Sequence, residues 1–293
     1  MNDVTRDFDR LLAEMRPKLH RYCARMTGSA VDGEDVVQEA MIKALTALPT
    51  VDSIENPQGW LFRIAHNAAL DFLRRRARGP VMQPEEDLTM IAAFDAVEQD
   101  HEVATASMRT FLRLPALQRS AVILKDVLGH STEEVAAITG ATEAAAKSAL
   151  QRGRARLREL AREPEDAALP MLSDAMRERL IAYVDGFKTG DFDAVRRMLA
   201  EEVRLDLVGR LTATGKSQVG EYYGRYAATD QWAYAAAVID GRPSMLVFDR
   251  ALDKNVPAYF VTLDWKDGRV IAIRDFLFAR YVMEGAEILA VRR

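Results

Sequence analysis

The chain has 293 residues, of which 49% are hydrophobic and 29% charged, and its net charge is −4. This length predicts two or three domains, and the composition excludes a low-complexity chain. Apolar stretches are too short to span a bilayer, and the first residues do not resemble a secretion signal. The single cysteine, Cys23, cannot form an internal disulfide, and no cysteine–histidine cluster has metal-binding spacing. We therefore expect a cytoplasmic protein without a metal or other cofactor.

Charge is distributed unevenly along the chain. Residues 1–79 carry 12 basic and 11 acidic side chains, whereas residues 80–108 carry seven acidic and no basic ones. Residues 109–162 carry ten basic and five acidic side chains, and residues 163–293 carry 18 and 21. A weakly acidic protein is a poor candidate for indiscriminate DNA binding. Two compact basic segments joined by an acidic tether are still compatible with DNA binding at two places.

Residues 1–79 have the pattern of helices and no strand pattern. Apolar residues between Phe8 and Leu19 recur at steps of three and four, which marks one helix face. A second helix is predicted after the acidic residues at positions 32, 34 and 35, because acids in a first turn favour the positive end of the helix dipole. A third helix is predicted to begin near Pro57 and to end in a basic cluster before Pro80.

The third helix is predicted to be amphipathic. Its polar side can be an ordinary exposed face, or its Asn and Arg side chains can read unstacked bases, and composition alone does not decide. Trp60 is expected in the core rather than as a stacking platform. The buried stripe is predicted to contain Trp60, Ile64, Leu70 and Leu73, and the opposite side Arg63, His66, Asn67, Asp71 and Arg74.

A helix-turn-helix is predicted within residues 129–160, after a Pro-containing acidic linker at residues 80–97. Ser131 with Glu134 forms a capping-box pattern, which places a helix start there. Gly140 suits a sharp turn at the end of that helix, and Thr142 can cap the next one. Two apolar side chains of the first helix, Val135 and Ile138, are expected to face inward.

The second helix of this motif is expected to enter the major groove. From Lys147 to Arg162 there are six basic residues against one acidic residue, which is typical of phosphate contact. The alternative is a solvated helix whose arginines only maintain solubility. Side chains of the types that bond base edges and phosphates lie on or beside one face: Lys147, Ser148, Gln151, Arg152 and Arg154.

After a second linker the chain has a mixed pattern. Helices are predicted at about 175–199, followed by strands that include residues 203–207 and 270–274. Residues 256–278 are predicted to form a hairpin, with Asp267-Gly268 as its turn. This part therefore predicts an α+β domain with a curved antiparallel sheet.

Three blocks, at residues 32–45, 56–78 and 114–159, together resemble the extracytoplasmic-function group of bacterial RNA polymerase sigma factors. The resemblance implies a non-enzymatic subunit with two partners, core RNA polymerase and promoter DNA, and no membrane attachment. Its first domain, region 2, would bind polymerase and melt the minus-ten element. Its second, region 4, would bind the minus-thirty-five element as duplex. The linker would run near the RNA exit path, where its acids could mimic nucleic acid or serve as a soluble spacer.

The resemblance also implies residue roles. Asp35, Gln38 and Glu39 would bind polymerase, and Asn56 would belong to the loop that captures a flipped base. Two departures from the family are Ala146 and Ala149, expected to loosen helix packing and to remove a phosphate contact. The minus-ten set is Asn56, Arg63, Asn67, Asp71, Arg74 and Arg75, and the minus-thirty-five set is Thr142, Lys147, Ser148, Gln151, Arg152 and Arg154.

A second resemblance rests on the segment Leu180–Phe187 with Gly190-Asp191-Phe192 and on the strand pair that ends in Arg274-Asp275-Phe276. On these features residues 176–285 resemble the SnoaL-like fold, a cone-shaped α+β domain that is also found fused to sigma factors. We expect this domain to modulate the sigma factor, with a small-ligand sensor or an isomerase- or cyclase-type enzyme as alternatives. Pocket candidates are Asp206, Tyr222, Tyr223, Trp232 and Asp264. The implied boundaries are region 2 at 1–79, a linker at 80–97, region 4 at 98–162, a second linker at 163–175 and the SnoaL-like domain at 176–285.

Overall fold

The computed structural model describes residues 3–50, 54–77, 107–163, 172–253 and 255–291. They form two compact units, Met1–Asp166 and Ala167–Arg293, which are described separately below. The predicted linker at 80–97 lies outside the described residues, as do residues 164–171 of the second predicted linker. Among the described residues, no helix combines the length and the apolar character needed to cross a membrane.

Unit 1 is entirely helical in its described part, as predicted. Its helices contribute to one continuous hydrophobic cluster, so the first three and the last four share a core. A π-helical turn, Ile123–Val127, continues the fifth helix, and a short 3-10 helix, Leu48–Thr50, follows the second. The helices are α1 Asp3–Thr27, α2 Ala30–Ala47, α3 Pro57–Ala77, α4 Met108–Leu112, α5 Ala116–Val122, α6 Thr132–Thr139 and α7 Glu143–Ala161.

The buried side of α3 differs from the predicted stripe. Small side chains allow α3 to approach its neighbours closely, whereas the sequence interpretation weighted only the large apolar residues. His66, predicted on the polar side, is 4% exposed, because the Tyr22 hydroxyl offers its Nδ1 a hydrogen-bonding partner at 2.7 Å. The buried residues are Leu61, Phe62, Ala65, His66, Ala68 and Ala69. The predicted stripe is only half-buried: Trp60, Ile64, Leu70 and Leu73.

Unit 2 combines three α-helices with a seven-stranded sheet in its described part, which confirms the predicted α+β class. Apolar side chains of the helices and of one sheet face form its core. The elements are α8 Asp174–Thr189, α9 Phe192–Arg197, β1 Leu199–Leu207, β2 Leu211–Thr214, α10 Lys216–Ala227, β3 Trp232–Ile239, β4 Arg242–Asp249, β5 Tyr259–Lys266, β6 Arg269–Asp275, a 3-10 helix Arg280–Met283 and β7 Ile288–Ala290.

The sheet is mixed, so the prediction of an antiparallel sheet was wrong at one pair. The strand order is β2-β1-β6-β5-β4-β3-β7, and β1 pairs with β6 in parallel. Helix α10 carries the chain from β2 to β3, and the meander β3–β6 then returns to place β6 beside β1. The β5–β6 hairpin itself is as predicted: Asp267 and Gly268 have φ of 50° and 76°, which suits a tight hairpin turn.

Candidate functional site

The helix-turn-helix has the caps that the sequence predicts. The Ser131 Oγ accepts the Glu134 N–H at 3.1 Å, and the Glu134 carboxylate accepts the Ser131 N–H at 2.7 Å. Gly140 ends α6 with φ of 71°, a left-handed conformation that costs glycine little. The Thr142 Oγ1 then accepts the Ala145 N–H at 3.2 Å and caps α7. These local bonds fix both ends of the turn, which sets the direction of α7.

Helix α7 packs closely on α5. A Cβ atom at Gly153 would lie 2.7 Å from Cγ2 of Val122 and 3.1 Å from the Gln118 carbonyl oxygen, so the two helices meet at this glycine. Ala146 and Ala149 are fully buried. The expectation that Ala149 removes a phosphate contact was therefore wrong, because this position faces the helix packing rather than solvent.

The solvent side of α7 presents part of the predicted minus-thirty-five set. Lys147 and Gln151 are exposed, and Ser148 and Arg152 are half-buried beside them. Arg154 does not belong to this face. Its Nε and Nη2 donate to the two carboxylate oxygens of Asp126 at 2.9 and 2.5 Å, which directs the guanidinium back toward the π-helical turn. Arg154 is thus held by Asp126 in this structure, and its contact with DNA stays a prediction.

The predicted minus-ten residues begin at the N-terminus of α3. The Asn56 Oδ1 accepts the Gly59 N–H at 2.9 Å, so this side chain caps the helix. Arg63 is exposed about two turns further on. A groove of about 430 Å³ separates this segment from α6 of the helix-turn-helix. Its lining residues are Ile54, Glu55, Asn56, Gly59, Trp60, Arg63, Glu134, Ala137 and Ile138.

Salt bridges link α2 to the end of α3. The Glu39 carboxylate contacts the Lys43 Nζ at 2.8 Å and the Arg75 Nη2 at 2.7 Å. Asp71 lies 3.6 Å from Lys43 and 3.2 Å from Arg74. Partial burial raises the pKa of Glu39, but the hydrogen bonds from Lys43 and Arg75 outweigh it and lower the pKa below its usual range. A residue predicted to bind polymerase, Glu39, thus holds one predicted to bind DNA, Arg75.

The remaining predicted polymerase-binding residues lie on α2. Asp35 is exposed, and the Gln38 side-chain oxygen accepts a hydrogen bond from Arg16 at 3.3 Å. Ile42 and Leu45 follow on the same helix with 58% and 46% of their surface exposed. The sequence interpretation did not single out these two side chains. Apolar residues with charged neighbours on a helix are a signal that could have identified this exposed surface.

The residues predicted to line a pocket in unit 2 lie on different sides of the sheet. Asp206 lies on the outer sheet face, 3.6 Å from Arg274, and Asp264 is exposed on that face. Tyr223 lies on the inner side, where its hydroxyl is 2.9 Å from that of Tyr183. Trp232 packs edge-on against Tyr259. The reason is the two-residue period of a strand, which sends neighbouring positions to opposite faces.

A buried polar cluster in unit 2 was missed by the sequence interpretation. Asp275 is 1% exposed and accepts hydrogen bonds from the hydroxyls of Tyr222 and Tyr226 and from the Leu277 N–H. The Tyr226 and Tyr259 hydroxyls lie 3.1 Å apart. Burial raises the pKa of Asp275, against these hydrogen bonds. The signal was present, because Asp275 lies two residues after the buried Ile273 and so shares its face.

Two family models match separate segments of unit 1. The family model described as Sigma-70 region 2 matches residues 11–79, and the one described as Sigma-70, region 4 matches residues 108–157. With the capped helix-turn-helix, these matches define a protein of the sigma-70 class. SigM of Mycobacterium tuberculosis, an ECF RNA polymerase sigma factor, is 36% identical over 153 residues, which cover 52% of this chain and 76% of SigM. The chain belongs to the extracytoplasmic-function (ECF) RNA polymerase sigma factors.

Two further matches extend over most of the chain. The ECF RNA polymerase sigma factor SigG of Mycobacterium tuberculosis is 25% identical over 308 residues, covering 92% of this chain and 81% of SigG. The crystal structure of the ECF sigma factor SigJ from the same organism is 22% identical and covers 92% of this chain and 95% of SigJ, with a TM-score of 0.36.

Proposed function

We infer that this chain binds core RNA polymerase and directs promoter recognition and transcription initiation, and that its α+β domain modulates that activity. The observation that supports this most strongly is the capped helix-turn-helix, which presents Lys147 and Gln151 on one exposed helix side. Their side chains suit phosphate and base-edge contacts in the major groove. This function places the protein in the cytoplasm, where polymerase and promoter DNA are found, and needs no cofactor.

Region 2 has the chemistry for the minus-ten element. Melting DNA costs roughly 1–2 kcal/mol per base step, and binding of unstacked bases can offset that cost. We propose that Asn56 and Arg63, at one wall of the groove beside α3, contact the melted strand. Exposed Asn67, Arg74 and Arg75 extend the same polar side toward the end of the helix.

We propose that Asp35 and the neighbouring apolar side chains of α2 contact polymerase. Ile42 and Leu45 would then be covered in the complex, which explains their exposure in this chain. A pull-down with core polymerase tests this contact. The alternative is a helix-turn-helix transcription regulator that never contacts polymerase, and such a protein would fail to associate with the core enzyme.

For the α+β domain we propose a modulating role rather than an enzyme or a small-ligand sensor. The interior of the domain is occupied by its own aromatic side chains, including Tyr183, Phe187 and Tyr223, which contact one another. The buried Asp275 has the raised pKa expected of an acid–base group. However, two tyrosine hydroxyls donate to one of its carboxylate oxygens and the Leu277 N–H donates to the other, so the hydrogen bonds of Asp275 are made within the domain.

The modulating role is tested by removing residues 170–293 and measuring run-off transcription with core polymerase on the promoter upstream of the protein's own gene. We expect the amount of transcript to change, while the thermal unfolding of unit 1 stays as it is in the full-length chain. Unchanged transcription would contradict modulation. Asp206→Asn with Asp264→Asn serves as a matched control in the full-length chain, and we expect it to leave transcription unchanged.

A further inference from the structure

Four basic side chains of unit 2 come together around the turn of the β5–β6 hairpin, and we call them the hairpin cluster: Arg179, Arg197, Lys266 and Arg269. Lys266 and Arg269 are direct partners across the two strands. Arg179 of α8 lies against the turn, since a Cβ atom at Gly268 would be 3.5 Å from its Cζ. The Arg269 Nη1 lies 3.4 Å from the carbonyl oxygen of Arg197, at the end of α9. The fold thus gathers cations from two helices and a hairpin.

The hairpin cluster has no acidic partner within the part of the chain that the structure describes. Its four side chains are exposed, and none of them lies within ion-pair distance of a described carboxylate. Two acids are adjacent to it in the chain, Glu178 and Asp267, so positive charge is in excess, although residues 163–293 carry 18 basic and 21 acidic side chains. Other cations of unit 2 do form ion pairs: Arg177–Asp174, Lys188–Asp185, Arg196–Asp193, Lys216–Glu201 and Arg274–Asp206.

Lys266 and Arg269 form an unfavourable pair in the chain by itself. Directly opposite residues of antiparallel strands have Cβ atoms about 5 Å apart, and like charges at such positions destabilise the hairpin. The tight turn at Asp267-Gly268 fixes this register, so the two positions stay opposite each other. A local arrangement that opposes folding is expected at a functional site. For two cations, the group that relieves the repulsion is an anion.

Duplex DNA is the anionic partner that fits the hairpin cluster. It carries one negative charge per about 1.7 Å of its axis, and Lys and Arg side chains neutralise phosphates at any base sequence. The centre of a protein interface, by contrast, is rich in apolar and aromatic anchors. In the described part of unit 2 the exposed large apolar side chains lie on other segments: Leu211, Leu252, Val256, Phe278, Ile288 and Leu289.

The chain keeps unit 2 near DNA that region 4 has bound. Only residues 162–173 separate the end of α7 from the start of α8. Twelve residues span at most about 40 Å, even when fully extended. A second contact on the same DNA is then intramolecular, so it increases affinity without reading any base. Polymerase and region 2 occupy the downstream side of the promoter, which leaves the upstream duplex for unit 2.

We propose that the hairpin cluster binds the phosphate backbone of duplex DNA immediately upstream of the minus-thirty-five element. This inference rests on the proposed function, and it gives the modulating role of unit 2 a physical form. The contact adds affinity that depends on salt and not on base sequence. Unit 2 then strengthens the complex at any promoter whose upstream duplex reaches the cluster.

The test measures the salt dependence of promoter binding by the full-length chain with core polymerase. Lys266→Gln with Arg269→Gln removes two charges of the hairpin cluster, whereas Arg250→Gln with Arg280→Gln removes two exposed charges elsewhere on unit 2. Each lost phosphate contact reduces the slope of log affinity against log salt by about 0.9. We expect the slope to fall by about 2 in the first variant and to stay unchanged in the second. A wild-type slope in the first variant would overturn the proposal.

A shortened promoter identifies DNA as the partner. This DNA ends at the upstream edge of the minus-thirty-five element, so it lacks the duplex assigned to the hairpin cluster. We expect the wild-type chain on the short promoter to show the reduced slope of the Lys266→Gln, Arg269→Gln variant on the long one. The variant should lose nothing further when the promoter is shortened. If it weakens binding equally on both promoters, the cluster contacts polymerase and the proposal is wrong.

A variant on another element tests whether the cluster acts as a unit. Arg179→Gln on α8 should reduce the slope by about 1. Fluorescence of Trp232 and Trp265 during urea denaturation establishes that unit 2 is folded in each variant. Because the Lys266–Arg269 pair is repulsive, its removal should leave unit 2 at least as stable as in the wild-type chain.

The measurements separate this inference from the proposed function. If the wild-type chain forms no promoter complex with core polymerase, the proposed function is contradicted, and the upstream contact with it. A wild-type complex that initiates transcription, but whose salt slope is the same in every variant of the hairpin cluster, contradicts the upstream contact alone.

Discussion

Arg154 and Asp126 form a two-point ion pair that joins the recognition helix α7 to the π-helical turn after α5. The side chains are only 17% and 4% exposed, so the pair is largely shielded from water. Such a pair fixes the rotation of α7 about its axis, because both carboxylate oxygens are engaged. The consequence is that one arginine of a basic helix serves to orient the helix.

Replacing Arg154 should therefore lower the stability of unit 1 more than it weakens the electrostatic part of DNA binding. Arg154→Ala leaves the buried Asp126 unpaired, and we expect the free energy of unfolding to fall by about 3 kcal/mol. The salt dependence of binding to minus-thirty-five duplex should keep its slope. Lys147→Ala is the matched control, for which we expect a slope reduced by about 1 with little change in stability. The reverse pattern for Arg154→Ala would show that Arg154 binds a phosphate.

Gly153 should be intolerant of a side chain. Alanine normally stabilises a helix interior relative to glycine by about 1 kcal/mol. Here its Cβ would lie 2.7 Å from Val122, so we expect Gly153→Ala to lower the free energy of unfolding by about 1–3 kcal/mol. The double variant with Val122→Ala should recover part of the loss in urea denaturation. Stabilisation by Gly153→Ala alone would mean that α5 and α7 are not in close contact.

His66 should make unit 1 less stable as the pH falls. Burial lowers the pKa of His66 from 6.5 to about 4, since the charged imidazole would lose its hydration. Between these values the unfolded chain binds a proton that the folded chain does not, so acidification favours unfolding. The effect amounts to at most about 3 kcal/mol. Urea denaturation at pH 7, 6, 5 and 4 measures it, and His66→Gln should flatten the profile. A profile unchanged by that substitution would assign the effect to other groups.

Asp275 should give unit 2 the opposite dependence. Its folded-state pKa is raised above the ordinary 3.8 by burial, so the folded unit holds a proton that the unfolded chain has already released. The unfolding free energy of unit 2 is therefore expected to decrease as pH rises above that value. Fluorescence of Trp232 and Trp265 reports on this unit. Asp275→Asn should remove the dependence, and a wild-type profile in this variant would contradict the assignment.

Local signals in the sequence predicted the local structure well. Ser131 and Glu134 cap a helix through bonds only three residues apart, and Asp267-Gly268 reverses the chain within a hairpin. Such contacts depend on neighbours in the chain. The helical class of unit 1 and the α+β class of unit 2 follow from the spacing of apolar residues, which is three or four positions in a helix and two in a strand.

Contacts between distant positions were not predictable in the same way. The burial of His66 depends on Tyr22, which lies 44 positions earlier, and the pairing of Arg154 with Asp126 spans 28 positions. Parallel pairing of β1 with β6 follows from the path of α10 across the sheet. Nothing in the alternation of apolar and polar residues in either strand encodes that path, so the sequence suggested an antiparallel sheet for unit 2. For Arg154, the basic composition of its helix suggested DNA contact.

The Glu39 carboxylate contacts Lys43 on its own helix and Arg75 at the end of α3, so one side chain links the surfaces proposed for polymerase and for the minus-ten element. A basic group of polymerase that engaged Glu39 would compete with Arg75 for the same carboxylate. Release of Arg75 would then favour its contact with a phosphate, and by reciprocity DNA bound to Arg75 would favour the contact with polymerase. Enzyme and promoter would in that case strengthen each other's binding through a single ion pair.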